Sequence, residues 1–174
     1  MDPALAATWN EAQPVGYVWL QGDTEDDGFR DGPCVAVRCQ DNSSVAVSLH
    51  DRHSPDDHGV HHAVEVRAPG LRARLDQAVA RIGDGRDLAP FLERLAADHT
   101  GWDGERRGKT NDGDLTVSAV FRPGGYVGST WTLRPWRPAA GAWSATVNTQ
   151  LEAGEQMESF AADIRHYLED RRPR

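Results

Sequence analysis

The chain has 174 residues, of which 39% are hydrophobic and 26% are charged, and its formal net charge is −8. This length and balance favour one globular domain and exclude a disordered or membrane-embedded chain. No run approaches the roughly 18 consecutive apolar residues of a membrane span, and the first residues lack the basic-then-apolar order of a signal peptide. The sequence therefore predicts a cytoplasmic protein.

The N-terminal arm, residues 1–32, holds most of the negative charge. It contains seven acidic residues and one arginine, a net charge of −6, so the other 142 residues sum to only −2. Its apolar run VGYVWL, at 15–20, predicts a marginal strand. Without a basic excess to neutralise phosphates, nucleic-acid binding is disfavoured, whereas an acidic arm suits a basic protein surface. We expect a partly ordered arm followed by a single α+β domain over residues 33–174.

Four strands are predicted in the first half of the domain from alternating apolar residues: Val35, Val37 and Cys39; Val45, Val47 and Leu49; His62, Val64 and Val66; Leu71, Ala73 and Leu75. Turn-forming stretches separate these strands, which favours antiparallel hairpins. Cys34 and Cys39 lie an odd number of positions apart, so their thiols are expected on opposite faces of the first strand and unbridged.

The period then changes in DLAPFLERLAADHTG, whose larger apolar residues fall on one helical face: Leu88, Phe91, Leu92 and Leu95. With Asp87 as N-cap and Gly101 as terminator, this pattern predicts a helix over about 88–99. Alternation at 115–121, 127–133 and 143–151 predicts three further strands. The chain ends in a second amphipathic helix within GEQMESFAADIRHYLEDRR.

Together these elements predict an α+β two-layer sandwich, in which a mainly antiparallel sheet of about seven strands carries both amphipathic helices on one face. The other face of the sheet is then open. In the second half of the chain this face is neutral and rich in hydroxyl groups, which suits a protein partner because little charge must be desolvated on docking. The candidate partner-binding residues are Thr116, Ser118, Thr130, Thr132, Thr146 and Asn148.

The stretch HDRHSPDDHGVHH, residues 50–62, contains five of the seven histidines. Neutral imidazoles together with a carboxylate are good ligands for zinc and other transition metals. Strand parity assigns His62 to the core face and His61 to the outer face. The candidate metal ligands are therefore His50, His53, His58 and His61, around a hairpin loop of about eight residues. The alternative is a polar hairpin loop that binds no metal.

No familiar catalytic motif is complete. GERRGKT, at 104–110, has three residues between Gly104 and Gly108 where a phosphate-binding loop needs four, and the predicted helix precedes this stretch instead of following it. The sequence has no Gly-x-Ser-x-Gly nucleophile elbow. It leaves enzymatic activity uncertain and favours a binding protein. A small-ligand pocket lined by Trp102, Trp131 and Trp143 is an alternative to simple core packing of these rings.

Four motifs resemble an uncharacterised family of small actinobacterial proteins, a domain-of-unknown-function family: EVRAPGLRAR, FLERLAADHTGWDGER, LTVSAVFRPGGYVGSTWTLRP and LEAGEQMESFAADIRHYL. The resemblance covers about residues 33–169. The order of strands, helix, three strands and helix is similar to that of immunity proteins of the wall-associated toxin type, which bind and neutralise a cognate toxin.

This layout implies a non-enzymatic, antitoxin-like protein without a cofactor, which engages a protein partner through its open sheet face and acidic arm. The alternative function is a metal-binding module, or a metal-dependent enzyme using zinc or another transition metal, centred on the histidine-rich loop at 50–62.

Overall fold

The computed structural model describes residues 33–55, 59–81, 87–110, 112–135 and 140–169. Eight strands and two helices lie in these ranges: β1 (Val35–Arg38), β2 (Ala46–His53), β3 (Gly59–Ala68), β4 (Leu71–Arg81), α1 (Leu88–Ala97), β5 (Glu105–Lys109), β6 (Leu115–Arg122), β7 (Tyr126–Leu133), β8 (Ala145–Glu152) and α2 (Glu155–Glu169). Neither helix is both long and apolar enough to cross a membrane. The acidic arm and its predicted strand at 15–20 lie outside the described residues.

The strands form two antiparallel four-stranded sheets, in the orders β1-β2-β3-β4 and β5-β6-β7-β8. The predicted α+β class is confirmed, but the prediction of a single sheet of about seven strands is wrong. Helix α1 separates β4 from β5 along the chain, and β5 pairs with β6 instead of β4. Alternation in a sequence predicts individual strands, whereas partners across a helical connection depend on tertiary packing.

The predicted strands and helices of the domain are present, and several extend beyond their expected bounds. Strand β5 was missed because its sequence, ERRGK, contains no apolar alternation. Cys34 and Cys39 are unbridged, as their spacing predicts. Burial raises the pKa of the Cys34 thiol, since the thiolate would lose its hydration.

One hydrophobic core joins both sheets and both helices. Helix α2 contacts each sheet through an edge-to-face ring pair. The Phe160 and Trp131 centroids lie 6.1 Å apart, and those of Tyr167 and His62 lie 6.3 Å apart. Trp131 belongs to β7 and His62 to β3, so α2 packs on the inner face of both sheets. The helices therefore cover these inner faces, and the outer faces carry the polar side chains.

Helix α1 begins where the sequence predicts. The Asp87 carboxylate accepts a hydrogen bond from the Leu88 amide at 2.6 Å, which makes it the N-cap. The same buried carboxylate accepts the amide of Arg81, the last residue of β4. One side chain therefore ends a strand of the first sheet and starts the helix that leads to the second sheet.

Phe91 anchors α1 on strand β5 at Gly108. A Cβ atom at position 108 would lie 2.5 Å from Phe91 Cγ, and the Phe91 ring is buried. Glycine therefore permits the close approach of the strand backbone to the ring. The stretch that superficially resembles a phosphate-binding loop is in this way part of a packed strand.

Gly108→Ala is expected to lower the free energy of unfolding by about 1–3 kcal/mol, because the added methyl group overlaps a buried ring. Urea unfolding followed by circular dichroism measures this change. Lys109→Ala, at the exposed neighbouring position of the same strand, is the control and should leave the unfolding midpoint unchanged. An unchanged midpoint for Gly108→Ala would show that Phe91 does not anchor the helix there.

Candidate functional site

The six residues predicted to bind a partner lie on the outer face of the second sheet in two adjacent rows. Strand register places Thr116, Thr132 and Thr146 in one row, and Ser118, Thr130 and Asn148 in the next. The alternate residues of the same strands, such as Val117 and Trp131, are buried in the core. We call these six residues the hydroxyl face. Local alternation and strand pairing are sufficient to assemble it.

Cross-strand hydrogen bonds order four of the six side chains of the hydroxyl face. The Thr130 hydroxyl donates to Asn148 Oδ1 at 2.7 Å, and the Thr132 and Thr146 hydroxyl oxygens lie 3.1 Å apart. On β6, the hydroxyls of Thr116 and Ser118 have no hydrogen-bond partner among the described residues. The face thus combines fixed side chains with donors and acceptors that remain available for an external group.

The border of the hydroxyl face differs from its neutral centre. On β5, Lys109 and Arg107 lie opposite Thr116 and Ser118 and extend both rows with basic residues. At the end of the sheet where β8 begins, Trp143 is 39% exposed and is the one exposed large hydrophobic residue in the described part of the chain. The prediction of a strand from residue 143 is wrong at this end, because β8 begins at Ala145 and leaves the indole in the preceding loop.

The outer face of the first sheet carries an ion-pair network instead of an open surface. Glu65 of β3 has a side chain only 3% exposed, and its carboxylate pairs with Arg67 and, at 3.3 Å, with Arg72. Strand parity assigns Glu65 to the outer face, yet the sequence gives no sign of its burial, which results from these long arginine side chains. The paired charges stabilise one another, so this face is structurally distinct from the hydroxyl face.

Glu65→Gln is expected to lower the free energy of unfolding by about 1–3 kcal/mol, because both arginines lose a charged acceptor that is shielded from water. Glu105 provides a matched control, since it pairs with Arg107 at the same two-residue spacing but has a carboxylate 39% exposed. Glu105→Gln should leave the unfolding midpoint unchanged. The melting temperatures of both variants are compared with that of the parent. Equal shifts in melting temperature would contradict the prediction that the buried ion pair stabilises the fold more than the exposed one.

His50, a candidate metal ligand, lies in the polar network of the first sheet. Its Nδ1 atom is 3.3 Å from Arg74 Nη1 and 3.5 Å from Asp51 Oδ2, and Arg74 also pairs with Asp51 at 2.6 Å. Burial and, after it, the Arg74 charge lower the pKa of His50. A neighbouring guanidinium disfavours a second cation at this ring, so His50 is a poor ligand for a metal ion in this arrangement.

His53 and His61 are brought together. They are directly opposite in the β2–β3 register, and their ring centroids lie 5.3 Å apart. His58, the remaining candidate, lies outside the described residues. The two strands extend to His53 and from Gly59, so the connection is shorter than the expected hairpin loop. Among the described residues, no group of three or more histidine, cysteine or acidic side chains could hold a metal ion.

His62 is a core residue, as strand parity predicts. It is 1% exposed and contacts the Tyr167 ring of α2. Burial lowers the pKa of His62 to about 4, since the charged imidazole would lose its hydration. The four histidines of the stretch that the structure describes therefore divide into a core residue, a network residue and a cross-strand pair.

His62 should make the protein less stable in acid. Its pKa of about 4 in the folded protein lies below the ordinary histidine value of 6.5, so between these pH values the unfolded chain takes up the proton and the folded protein does not. Stability should fall progressively as the pH drops through this window, by about 3 kcal/mol in total, and His62 should contribute no pH dependence above it.

The measurement is thermal unfolding of the parent protein and His62→Leu between about pH 4 and pH 8 in the presence of EDTA. The variant should lose less stability on acidification than the parent, because leucine takes up no proton. An equal loss of stability on acidification in the two proteins would contradict the prediction that the buried His62 imidazole destabilises the fold in acid.

The three tryptophans considered for a ligand pocket lie in different environments. Trp131 is buried, and its indole nitrogen donates to the Thr149 hydroxyl at 2.9 Å. The Arg106 guanidinium lies over the Trp102 ring, 4.6 Å from its centroid, and Trp143 is exposed. Trp131 is therefore a core residue with a satisfied donor, and the other two rings lie at the surface or partly buried.

The fold and its surfaces define a small α+β domain with two antiparallel sheets. The chain belongs to a family of unknown function, DUF6228, whose model matches residues 38–171. This match, which runs from the end of β1 to just past the end of α2, confirms the prediction of an uncharacterised family. No curated protein and no solved structure matches the chain.

Proposed function

We propose that this protein is a non-enzymatic, cytoplasmic binding protein of the immunity or antitoxin type, which engages a protein partner through the hydroxyl face and the acidic arm. The observation that carries the proposal is the arrangement of the hydroxyl face: six neutral polar residues in two aligned rows on the outer side of three paired strands. The order of elements read from the sequence implies the same class of function through its resemblance to immunity proteins.

The chemistry of the hydroxyl face favours docking of a protein surface. Neutral hydroxyl and amide groups cost less to desolvate than charged groups, and they can donate or accept hydrogen bonds. The bonds from Thr130 to Asn148 and between Thr132 and Thr146 already fix four of the six side chains. Binding therefore loses less side-chain entropy on β7 and β8 than it would on a surface of mobile side chains.

Trp143, in the loop that leads into β8, supplies a suitable anchor for a protein that docks on the hydroxyl face. Its indole is 39% exposed, and Thr146, the last residue of one row, lies three positions further along the chain. Tryptophan is enriched among the residues that contribute most to binding energy in protein interfaces. On the opposite side, Lys109 adds a positive charge beside the Arg107–Glu105 ion pair, so the proposed interface has a defined orientation.

The acidic arm would contribute mainly to the rate of association. Its net charge of −6 produces a long-range attraction for a basic partner, and such attraction accelerates encounter and weakens with salt. The hydroxyl face, in contrast, carries no formal charge and would set the rate of dissociation. Changes in the arm should therefore alter the association rate of the complex, and changes in the hydroxyl face should alter its dissociation rate.

Co-expression with the product of the neighbouring gene tests the proposal. The parent protein should form a complex that survives size-exclusion chromatography. Thr130→Arg or Thr132→Arg should weaken this complex by about tenfold or more, because each places a charged side chain in the centre of the interface. Thr100→Arg is the matched control, since Thr100 is exposed in the turn after α1, away from the hydroxyl face.

Removal of residues 2–32 should slow association and reduce its salt dependence while leaving dissociation nearly unchanged. Surface plasmon resonance of the purified complex distinguishes the two contributions. The proposal fails if the parent forms no complex, or if the hydroxyl-face variants bind as tightly as Thr100→Arg.

A further inference from the structure

His53 and His61 form an accessible cross-strand pair at the end of the β2–β3 ladder. They are opposite in register, and their rings are tilted by 34° with centroids 5.3 Å apart. His53 is exposed and His61 is half-buried, so solvent and ions reach the pair. Two imidazoles placed side by side on adjacent strands are a ready bidentate ligand for a transition-metal ion.

The separation of the rings agrees with the geometry of a shared metal. Zinc–nitrogen bonds are about 2.0–2.1 Å long, and a tetrahedral angle between two imidazole ligands then places their ring centroids about 5 Å apart. The observed 5.3 Å is close to this value. The pairing of the two strands therefore brings the rings to the separation that a shared metal ion requires.

The backbone fixes which nitrogen of His53 is available. His53 Nδ1 lies 3.3 Å from the carbonyl oxygen of Asp51, which can only accept a hydrogen bond. Nδ1 therefore carries the proton in this contact, and Nε2 keeps a free lone pair. Metal-binding histidines in proteins commonly donate the second ring nitrogen to a backbone carbonyl in this way, which fixes the tautomer and orients the ring.

We propose that His53 and His61 are the two protein ligands of a divalent transition-metal site, selective for ions such as zinc or nickel over calcium and magnesium. This site has fewer ligands than the four-histidine site predicted from the sequence. His50 contacts Arg74 instead of the pair, and the pair itself contains no residue of the 54–58 connection. Solvent completes the coordination. The inference is independent of the proposed partner binding.

A bound ion would join the ends of β2 and β3 across their connection. Because ligand binding to the folded state alone raises stability, metal should increase the melting temperature in a concentration-dependent manner. Calcium and magnesium prefer oxygen ligands and should have no comparable effect.

The test uses the full chain without an affinity tag, stripped with EDTA and dialysed. Isothermal titration with zinc chloride and with nickel chloride should show one ion per chain for the parent protein. His53→Gln and His61→Gln should each weaken binding by about tenfold or more, and should abolish the metal-dependent rise in melting temperature. Glutamine preserves polarity at these positions, and circular dichroism checks that both variants are folded.

Two controls distinguish this pair from other histidines. His99→Gln removes an exposed histidine in the turn after α1 and should leave the affinity unchanged. His58→Gln should also leave it unchanged within about twofold. The proposal is overturned if the parent binds no more tightly than the His53→Gln, His61→Gln double variant, or if His58→Gln weakens binding as much as either single change.

Discussion

The packing of α2 on both sheets is the interaction on which the rest of the structure depends. Phe160 contacts Trp131 of the second sheet, and Tyr167 contacts His62 of the first. The sheets also contact each other directly, through β1 and β3 against β8 and through β4 against β7, and the Gln40 amide donates a hydrogen bond to the Gln150 carbonyl oxygen at 3.0 Å. Because one helix buries its apolar face against both, the two sheets form a single core.

This arrangement gives the two outer faces different properties. Once the helices cover the inner faces, each outer face must satisfy its polar groups by itself or leave them to solvent and partners. In the first sheet, Glu65 pairs with Arg67 and Arg72, so these charges are satisfied within the sheet. The second sheet carries short neutral side chains, whose donors and acceptors are only partly used. Exposure and neutrality, rather than any cluster of reactive groups, distinguish the hydroxyl face.

The sequence predicts the local features of this fold well because they depend on local periodicity. Alternation at Val117 and Thr116 assigns each residue to its face, and the Asp87 cap follows from helix chemistry. The division into two sheets could not be predicted, since it depends on which strand edges meet after α1. The same limit applies to Glu65, whose burial requires arginines from two strands.

The histidine stretch shows how one irregularity alters a prediction from strand parity. Strand β2 has one extra residue between His50 and His53 relative to β3, and Asp51 adopts a left-handed conformation with φ of 55°. A regular strand cannot contain a residue in this left-handed conformation, and nothing in the sequence singles out Asp51 as the residue that adopts it. The bulge separates the environment of His50 from that of His53, although only two residues lie between them.

The same bulge fixes the position of the cross-strand pair. Arg52, within the bulge, donates from Nη2 to the carbonyl oxygen of Leu168 in the last turn of α2, at 3.2 Å. A cation at a helix C-terminus is favoured by the helix dipole and satisfies a carbonyl that lacks an intrahelical partner. This contact ties the end of β2 to the central helix, so the strand end beside it has less freedom to fray. His53, the next residue, is consequently held opposite His61. Less conformational entropy is therefore lost when the two strands pair there or when both histidines bind a metal ion.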